Sequence, residues 1–196
     1  MTSDYDDSIW RQVPDRPRIP DPWLELRASV FAAGSAAALD LGCGDGLYLP
    51  ALLLSAGAVF GVDRSAVALE RAGRRNPAAK LRKTTAGERL PLADNSVDRV
   101  WCCDTLEHVL DTQTVLSEAG RVLVPGGRLL VVTPDHRIWS RIGLAFGGWE
   151  RHFDPFSPHL RFYTRRSLTD ALTGCGFEPP RVERHRGALV AESPRL

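Results

Sequence analysis

Short apolar runs alternate along the chain with amphipathic stretches, and the alternation predicts the elements. "AALDL" (37–41) reads as a buried strand, and "AVFGVD" (58–63), "SVDRVWCCD" (96–104) and "GRLLVVTPD" (127–135) as strands too, with "KLRKTTA" (80–86) as a further strand between the second and fourth. Between them, "GLYLPALLLSAGA" predicts a helix with Pro50 either in its first turn or at a bend. "SAVALERAGRR" predicts another with Ser65 as N-cap, and "TQTVLSEAGRVL" a third. "PWLELRASVF" begins a short helix at Pro22, and "RRSLTDALTGCGFE" is a helix ended by glycine. Strand and helix alternating at this spacing predict βαβ units and a doubly wound, mostly parallel α/β sheet. The stretch from Asp135 to about Phe162 breaks the rhythm, and no internal repeat is evident.

One turn asks for more than packing. From Asp40 to Gly46 the chain reads D-x-G-x-G-x-G, directly after the first predicted strand. In an open parallel sheet, ligands bind beyond the carboxyl ends of the strands, where the topology switches direction. Glycine tolerates positive φ there and lets a ligand approach the backbone. Asp63 closes the second strand, where a carboxylate can accept both hydroxyls of a ribose. A nucleoside-containing cofactor is therefore expected, with a purely structural tight turn as the alternative. A dinucleotide fingerprint would need glycine where Leu47 stands. Asp40 and Asp45 are expected to place negative charge where a pyrophosphate would sit, which suits a ligand carrying an ammonium and a sulfonium instead.

Bulk properties narrow the class. At 196 residues the chain can bury one sizeable core, and a net charge of +1 gives no reason to expect nucleic acid or an anionic membrane as partner. Arg far outnumbers Lys (Lys80 and Lys83 alone), the imprint of a GC-rich bacterial genome. No apolar run reaches the roughly 18 residues of a membrane-spanning helix. "MTSDYDDSIW" lacks the basic and apolar regions of a signal peptide. Cys43, Cys102, Cys103 and Cys175 form no C-x-x-C pair, so reduced thiols in a cytoplasmic protein are expected, without a metal site.

"LDLGCGDG", "VFGVD", "ERLPLADNSVDRVWCCDTLEHV" and "PGGRLLVVTP", in that order, resemble the motif series of class I S-adenosylmethionine-dependent methyltransferases, nearest the small-molecule branch of ubiquinone and menaquinone biosynthesis. The likeness runs from about Ala37 to Pro134, and "HLRFYTRRSLTDALTGCGFE" extends it. It implies a seven-stranded Rossmann-like sheet whose last strand is antiparallel, completed here by "FEPPRVERH" and "GALVAES". It further implies a single domain: an N-terminal cap (1–35), a cofactor-binding core (36–134), an acceptor-covering insertion (135–162) and a C-terminal helix with strands (163–196). The cofactor implied is S-adenosylmethionine. Gly42, Cys43 and Gly44 would hold its methionine portion, Cys43 chiefly through backbone, with Asp40 orienting the loop or bridging to the amino group. Asp63 would take the ribose hydroxyls, Arg64 would flank the adenine, and backbone at Cys103 would accept from the amino group. Many relatives carry Asp where Ala86 stands, to bind the adenine amine. Ala86 cannot do this, which leaves Gly87 and Glu88 to contact the base at a loss of about 0.5–1.5 kcal/mol.

Methyl transfer from a sulfonium is an in-line displacement that needs alignment and exclusion of water. A general base helps when the acceptor is a hydroxyl of high pKa, and histidine is the usual candidate. His108, after the fourth strand, lies nearest the expected methyl site, and His136, after the fifth, is next. Glu107 and His108 could instead serve only the local fold. His152, His159 and His185 are expected to be structural or solvated. The insertion is expected to form the acceptor pocket: Ile138, Ile142, Ala145 and Trp149 fall near one helical face, and Trp139, Phe146, Phe153, Phe156 and Tyr163 add aromatic surface for a flat or greasy acceptor. Packing of an ordinary helix, or transient contact with a membrane surface, are the competing readings. Tyr5 and Trp10 could close over the site. The leading expectation is methylation of a small molecule, most readily at a hydroxyl oxygen, with a catalytically silent cofactor-binding subunit as an alternative. Nucleic-acid methylation is a further alternative, supported by the basic run "ERAGRRNPAAKLRK" and opposed by "CDTLEH" where base-methylating enzymes show an Asn/Asp-Pro-Pro-aromatic motif.

Overall fold

A computed structural model describes residues 3–85, 87–135 and 160–196. In chain order the elements are α1 (Ser3–Gln12), α2 (Pro22–Ala32), β1 (Ala37–Leu41), α3 (Leu49–Leu53), β2 (Ala58–Asp63), α4 (Ala66–Arg75), β3 (Lys80–Lys83), β4 (Val97–Cys103), a 3₁₀ turn (Leu106–His108), α5 (Thr112–Val122), β5 (Leu123–Pro134), α6 (Arg165–Gly174), β6 (Arg181–His185) and β7 (Ala188–Pro194). Seven strands form one sheet in the order β3-β2-β1-β4-β5-β7-β6, and β7 runs antiparallel to both of its neighbours. β1 to β5 pair in parallel, as the apolar runs predict.

Those runs lack polar alternation because both faces of the sheet are covered. Leu39, Val100, Cys102, Leu129 and Val131 point into a core shared with α5 and α6. Their neighbours Ala38, Trp101, Leu130 and Val132 point the other way, against α2, α3 and α4. Successive side chains leave a strand on opposite faces, so a strand with two covers must be apolar throughout. Trp101 anchors the second core, with Tyr48 and Phe31 at ring-centroid distances of 5.3 and 6.3 Å.

Local chemistry ends the helices where expected, with adjustments. Ser65 accepts from the Ala68 N–H at 3.1 Å, and Asp21 caps α2 at the Trp23 and Leu24 N–H groups ahead of Pro22. Pro50 sits in the first turn of α3, so it bends nothing. That helix is much shorter than the apolar run suggests, because Gly46 (φ 86°) is consumed by the preceding turn and Gly57 turns the chain toward β2 by donating to Ser35 O at 3.0 Å. β5 begins earlier than expected, at Leu123, with an irregularity in its pairing to β4. β6 and β7 form a hairpin through Arg186 and Gly187, both at positive φ as a two-residue turn requires.

Two expectations are corrected. His185 is not a solvated side chain: it stacks on Trp23 at 4.3 Å and meets Asp21 at 3.1 Å. Tyr163 is buried beneath the 3₁₀ turn with its hydroxyl 2.9 Å from Thr112 Oγ1, so it belongs to the core and not to an acceptor surface. α1 had no counterpart among the predicted elements. Its acidic residues hide a stripe of Tyr5, Ile9, Trp10 and Val13 at helical spacing. Among the described residues no helix is long and apolar enough to cross a membrane.

Candidate functional site

The glycine turn leaves β1 at the switch point between β1 and β4, the place the topology reserves for a ligand. Gly42 and Cys43 both donate their N–H groups to Val62 O at 2.9 Å, which folds the turn back against the end of β2. Gly42 has φ 79°, and a Cβ added there would lie 2.3 Å from Thr105 Oγ1. That hydroxyl cannot easily swing away, because it donates within 3.0 Å of both Leu41 O and Cys103 O. Gly42→Ala combines a strained φ with overpacking, and should lower folding stability by about 2–5 kcal/mol. Urea unfolding of the unliganded variant checks this; an unchanged midpoint would refute it.

Asp63 joins the turn to the next helix. Its Oδ2 accepts from the Gly44 N–H and its Oδ1 from the Ser65 N–H, each at 2.8 Å. Burial nonetheless raises its pKa, because desolvation of the carboxylate outweighs those two bonds. Asp40 lies behind the turn, opposite Gly61 and Trp101 in the sheet, and is only 3% exposed. Burial first, and the nearby Asp63 charge second, push its carboxyl up from 3.8 to about 8. Such a group favours the fold in its neutral form, so its contribution is complete below about pH 4 and is lost as pH rises through 8. Asp40→Asn should therefore flatten the fall in stability between those values and exceed the wild type at pH 8 by about 2 kcal/mol or more. Urea titrations of the unliganded protein across that range test the slope; parallel curves would contradict it.

A cleft of about 600 Å³ opens above this turn. Gly42, Gly44, Asp63, Arg64, Gly87, Glu88 and His108 all line it, which brings most of the expected site residues together. Cys43 and Cys103 do not line it. Cys43 is buried with its N–H on Val62 O and its carbonyl taken by the Gly46 N–H at 2.9 Å, while the Cys103 carbonyl accepts from Thr105. Each carbonyl keeps a second lone pair, so the backbone roles expected of both stay proposals. Ala86, His136, His152 and His159 fall outside the described residues, as do Ile138, Trp139, Ile142, Ala145, Phe146, Trp149, Phe153 and Phe156.

Asp45 also works differently from expectation. It does not present charge to the cleft: it is 3% exposed and held by Arg18 and Arg75, each at 2.6 Å. The carboxylates that do face the cleft include Asp104, which sequence reasoning missed. Its signal was present in "CCD", an acid closing β4 as Asp63 closes β2, and it stands at φ 49° on the rim. Thr84 and Thr85, beyond β3, line the cleft too. His108 is carried on the 3₁₀ turn, with its N–H on Thr105 O at 3.0 Å. Beneath it, the buried Glu107 accepts from Thr133 Oγ1 at 3.0 Å, and its backbone carbonyl accepts from the Leu160 and Arg161 N–H groups. Burial raises the Glu107 carboxyl to about 7.

The arrangement fits an adenosyl cofactor. Gly42 and Gly44 line the cleft without side chains, and Asp63 lines it beside them as a carboxylate able to accept from ribose hydroxyls. Comparison with known proteins agrees. A family model described as a methyltransferase domain matches residues 39–131. A protein of Mycolicibacterium smegmatis named a probable S-adenosylmethionine-dependent methyltransferase is 34% identical over 140 residues, covering 71% of this chain and 51% of that one. An uncharacterised methyltransferase of Mycobacterium tuberculosis is 39% identical over 163 residues, covering 75% of this chain and 82% of that one. Among solved structures, an S-adenosylmethionine-dependent methyltransferase from Thermotoga maritima superposes with a TM-score of 0.69 at 25% identity, over 88% of this chain and 87% of that one. The chain spans about half or less of the length of several curated relatives that it matches. By its motifs, its sheet order and these relatives, the chain belongs to the S-adenosylmethionine-dependent methyltransferase family.

Proposed function

We propose that this chain transfers the methyl group of S-adenosylmethionine to a small-molecule acceptor, at a hydroxyl oxygen of an aromatic, sugar or natural-product substrate. The observation that carries the reading is the Gly44–Asp63 bridge in a cleft that His108 also lines. When bound, the sulfonium supplies an activated methyl group, so the protein's task is alignment, dryness and handling of one proton. Asp63 would hold the ribose hydroxyls, the Gly42–Gly44 turn the methionine portion, and Gly87 with Glu88 the base.

His108 is the proposed general base, taking the proton from the acceptor hydroxyl onto a ring nitrogen. The segment 135–162 is the proposed acceptor cover, since its return at Leu160 and Arg161 is tied to the Glu107 carbonyl, one residue from His108. Among the described residues the cleft wall carries Asp6, Asp63, Glu88, Asp104, Asp111 and Glu118 against Arg18 and Arg64. That excess of carboxylates repels a polyanion, which speaks for a small acceptor and against nucleic acid. We place the chemistry in the cytoplasm, where four cysteines would stay reduced.

Two measurements test the reading. Calorimetry should show one molecule of S-adenosylhomocysteine bound per chain, and a panel of phenols, sugars and quinone precursors incubated with methyl-labelled donor should yield a labelled ether. Absence of binding to well-folded protein would sink the cofactor assignment. Label appearing in RNA or DNA, and in no small molecule, would sink the acceptor class.

A further inference from the structure

α1 is fastened to the protein in an unusual way. Tyr5, Ile9, Trp10 and Val13 make one apolar face, yet none of the four belongs to either core cluster. All four line the cleft instead, and Trp10 lies so close over the glycine turn that a Cβ at Gly44 would come within 2.7 Å of its ring. Polar and charged contacts hold the helix, and they run mainly to the two ends of α4. At the N-terminal end, Asp7 is buried and accepts from Ser65 Oγ at 2.6 Å and from the Val67 N–H at 3.3 Å. The positive end of the helix dipole favours a carboxylate there. At the C-terminal end the holds fall on the segment just after α1: Asp15 meets Arg74 at 2.5 Å and Arg75 at 2.7 Å, while Arg71 donates to Val13 O at 2.9 Å. Asp6 adds a contact to Arg64 at 2.9 Å.

We propose that α1 is a lid that retains the cofactor, lashed to the two ends of α4 by Asp7 and Asp15, whose release governs how fast the demethylated product leaves. The proposal rests on the cofactor reading given above. Its physical basis is linkage: an apolar face that lacks a core gains its buried partner only when the cleft is filled, so ligand and lid stabilise each other. Asp7 and Asp15 do not line the cleft, so they act through the position of α1 and not by touching the ligand. Asp15 is 43% exposed, and salt should weaken its pairs while leaving the buried Asp7 contacts in place.

The experiment has two readouts on the full chain. Hydrogen exchange of residues 5–13 in the unliganded protein reports the lid without any ligand. Stopped-flow displacement of S-adenosylhomocysteine reports its release. In the double variant Asp7→Ala, Asp15→Asn, residues 5–13 should exchange at least about 10-fold faster while β1, β4 and β5 keep wild-type protection. Product release should accelerate at least about 10-fold with association changed less than about threefold. Asp15→Asn alone is the second variant, should the double one lose core protection, and sodium chloride at about 500 mM should reproduce its effect in the wild type. Unchanged exchange in α1 overturns the anchoring. A loosened α1 with wild-type release overturns retention. Failure of the wild type to bind S-adenosylhomocysteine overturns the cofactor reading and retention with it, while the exchange data still judge the anchoring separately.

Discussion

Replacing His108 with alanine is expected to lower kcat for a hydroxyl acceptor about 100- to 10,000-fold, the range usual for loss of a general base. Affinity for S-adenosylhomocysteine should stay within about twofold, since the lost group acts on the acceptor's proton. The structure explains why the effect should be separable from folding. The 3₁₀ turn is held by its neighbours: Leu106 is fully buried, Glu107 bonds to Thr133 and to the chain returning at Leu160, and the His108 N–H reaches Thr105 O through backbone alone. None of those bonds needs the imidazole. His108→Asn keeps a polar side chain without a useful base, and should be nearly as slow. A graded series of phenols supplies the decisive readout, because acceptors acidic enough to ionise unaided should recover most of the lost rate. An equal loss for every phenol would show that His108 shapes the turn and moves no proton.

Asp63→Ala should weaken S-adenosylhomocysteine at least about 100-fold, or about 2.7 kcal/mol. Two losses combine. The ribose hydroxyls lose a charged acceptor, worth about 1.5–3 kcal/mol for hydrogen bonds to a charge. The Gly44 and Ser65 N–H groups lose the oxygens that hold them, so the turn no longer keeps its shape. Stability of the unliganded protein should change less. The raised pKa of Asp63 means that burial already penalises its charge more than the two N–H groups reward it. Asp63→Asn should lose less affinity than alanine but not match the wild type, because one face of an amide donates where both backbone groups also donate. Calorimetry on the three proteins decides the matter; an alanine variant binding within about threefold of wild type would remove Asp63 from the ribose site.

How far the site could be read in advance follows from the range of each interaction. The strand–glycine–strand series anticipated that Gly42, Gly44 and Asp63 would meet at one cleft because a tight turn and a strand end are local events, written in neighbouring residues. Asp45 was misread for the opposite reason. Its partners Arg18 and Arg75 come from elements far away in sequence, and only their convergence turns an apparent surface acid into a buried clamp. Cys43 lies in that turn, and the bonds its backbone makes to Val62 and Gly46 depend on how β2 lies beside β1. His185 sits in a charged stretch that suggested solvation, until the hairpin carried it to Trp23 and Asp21.

The amino-acid order alone determined the class of the fold, the β1 turn and the acid that faces it, since hydrophobic period, glycine freedom and capping act over a few residues. Tertiary structure alone decided which charges are cancelled and how the N-terminal helix is tied to α4 beside the cleft. Those outcomes depend on distances between residues remote in the chain. Burial and electrostatics are set by what surrounds a group in space, and no local pattern records that.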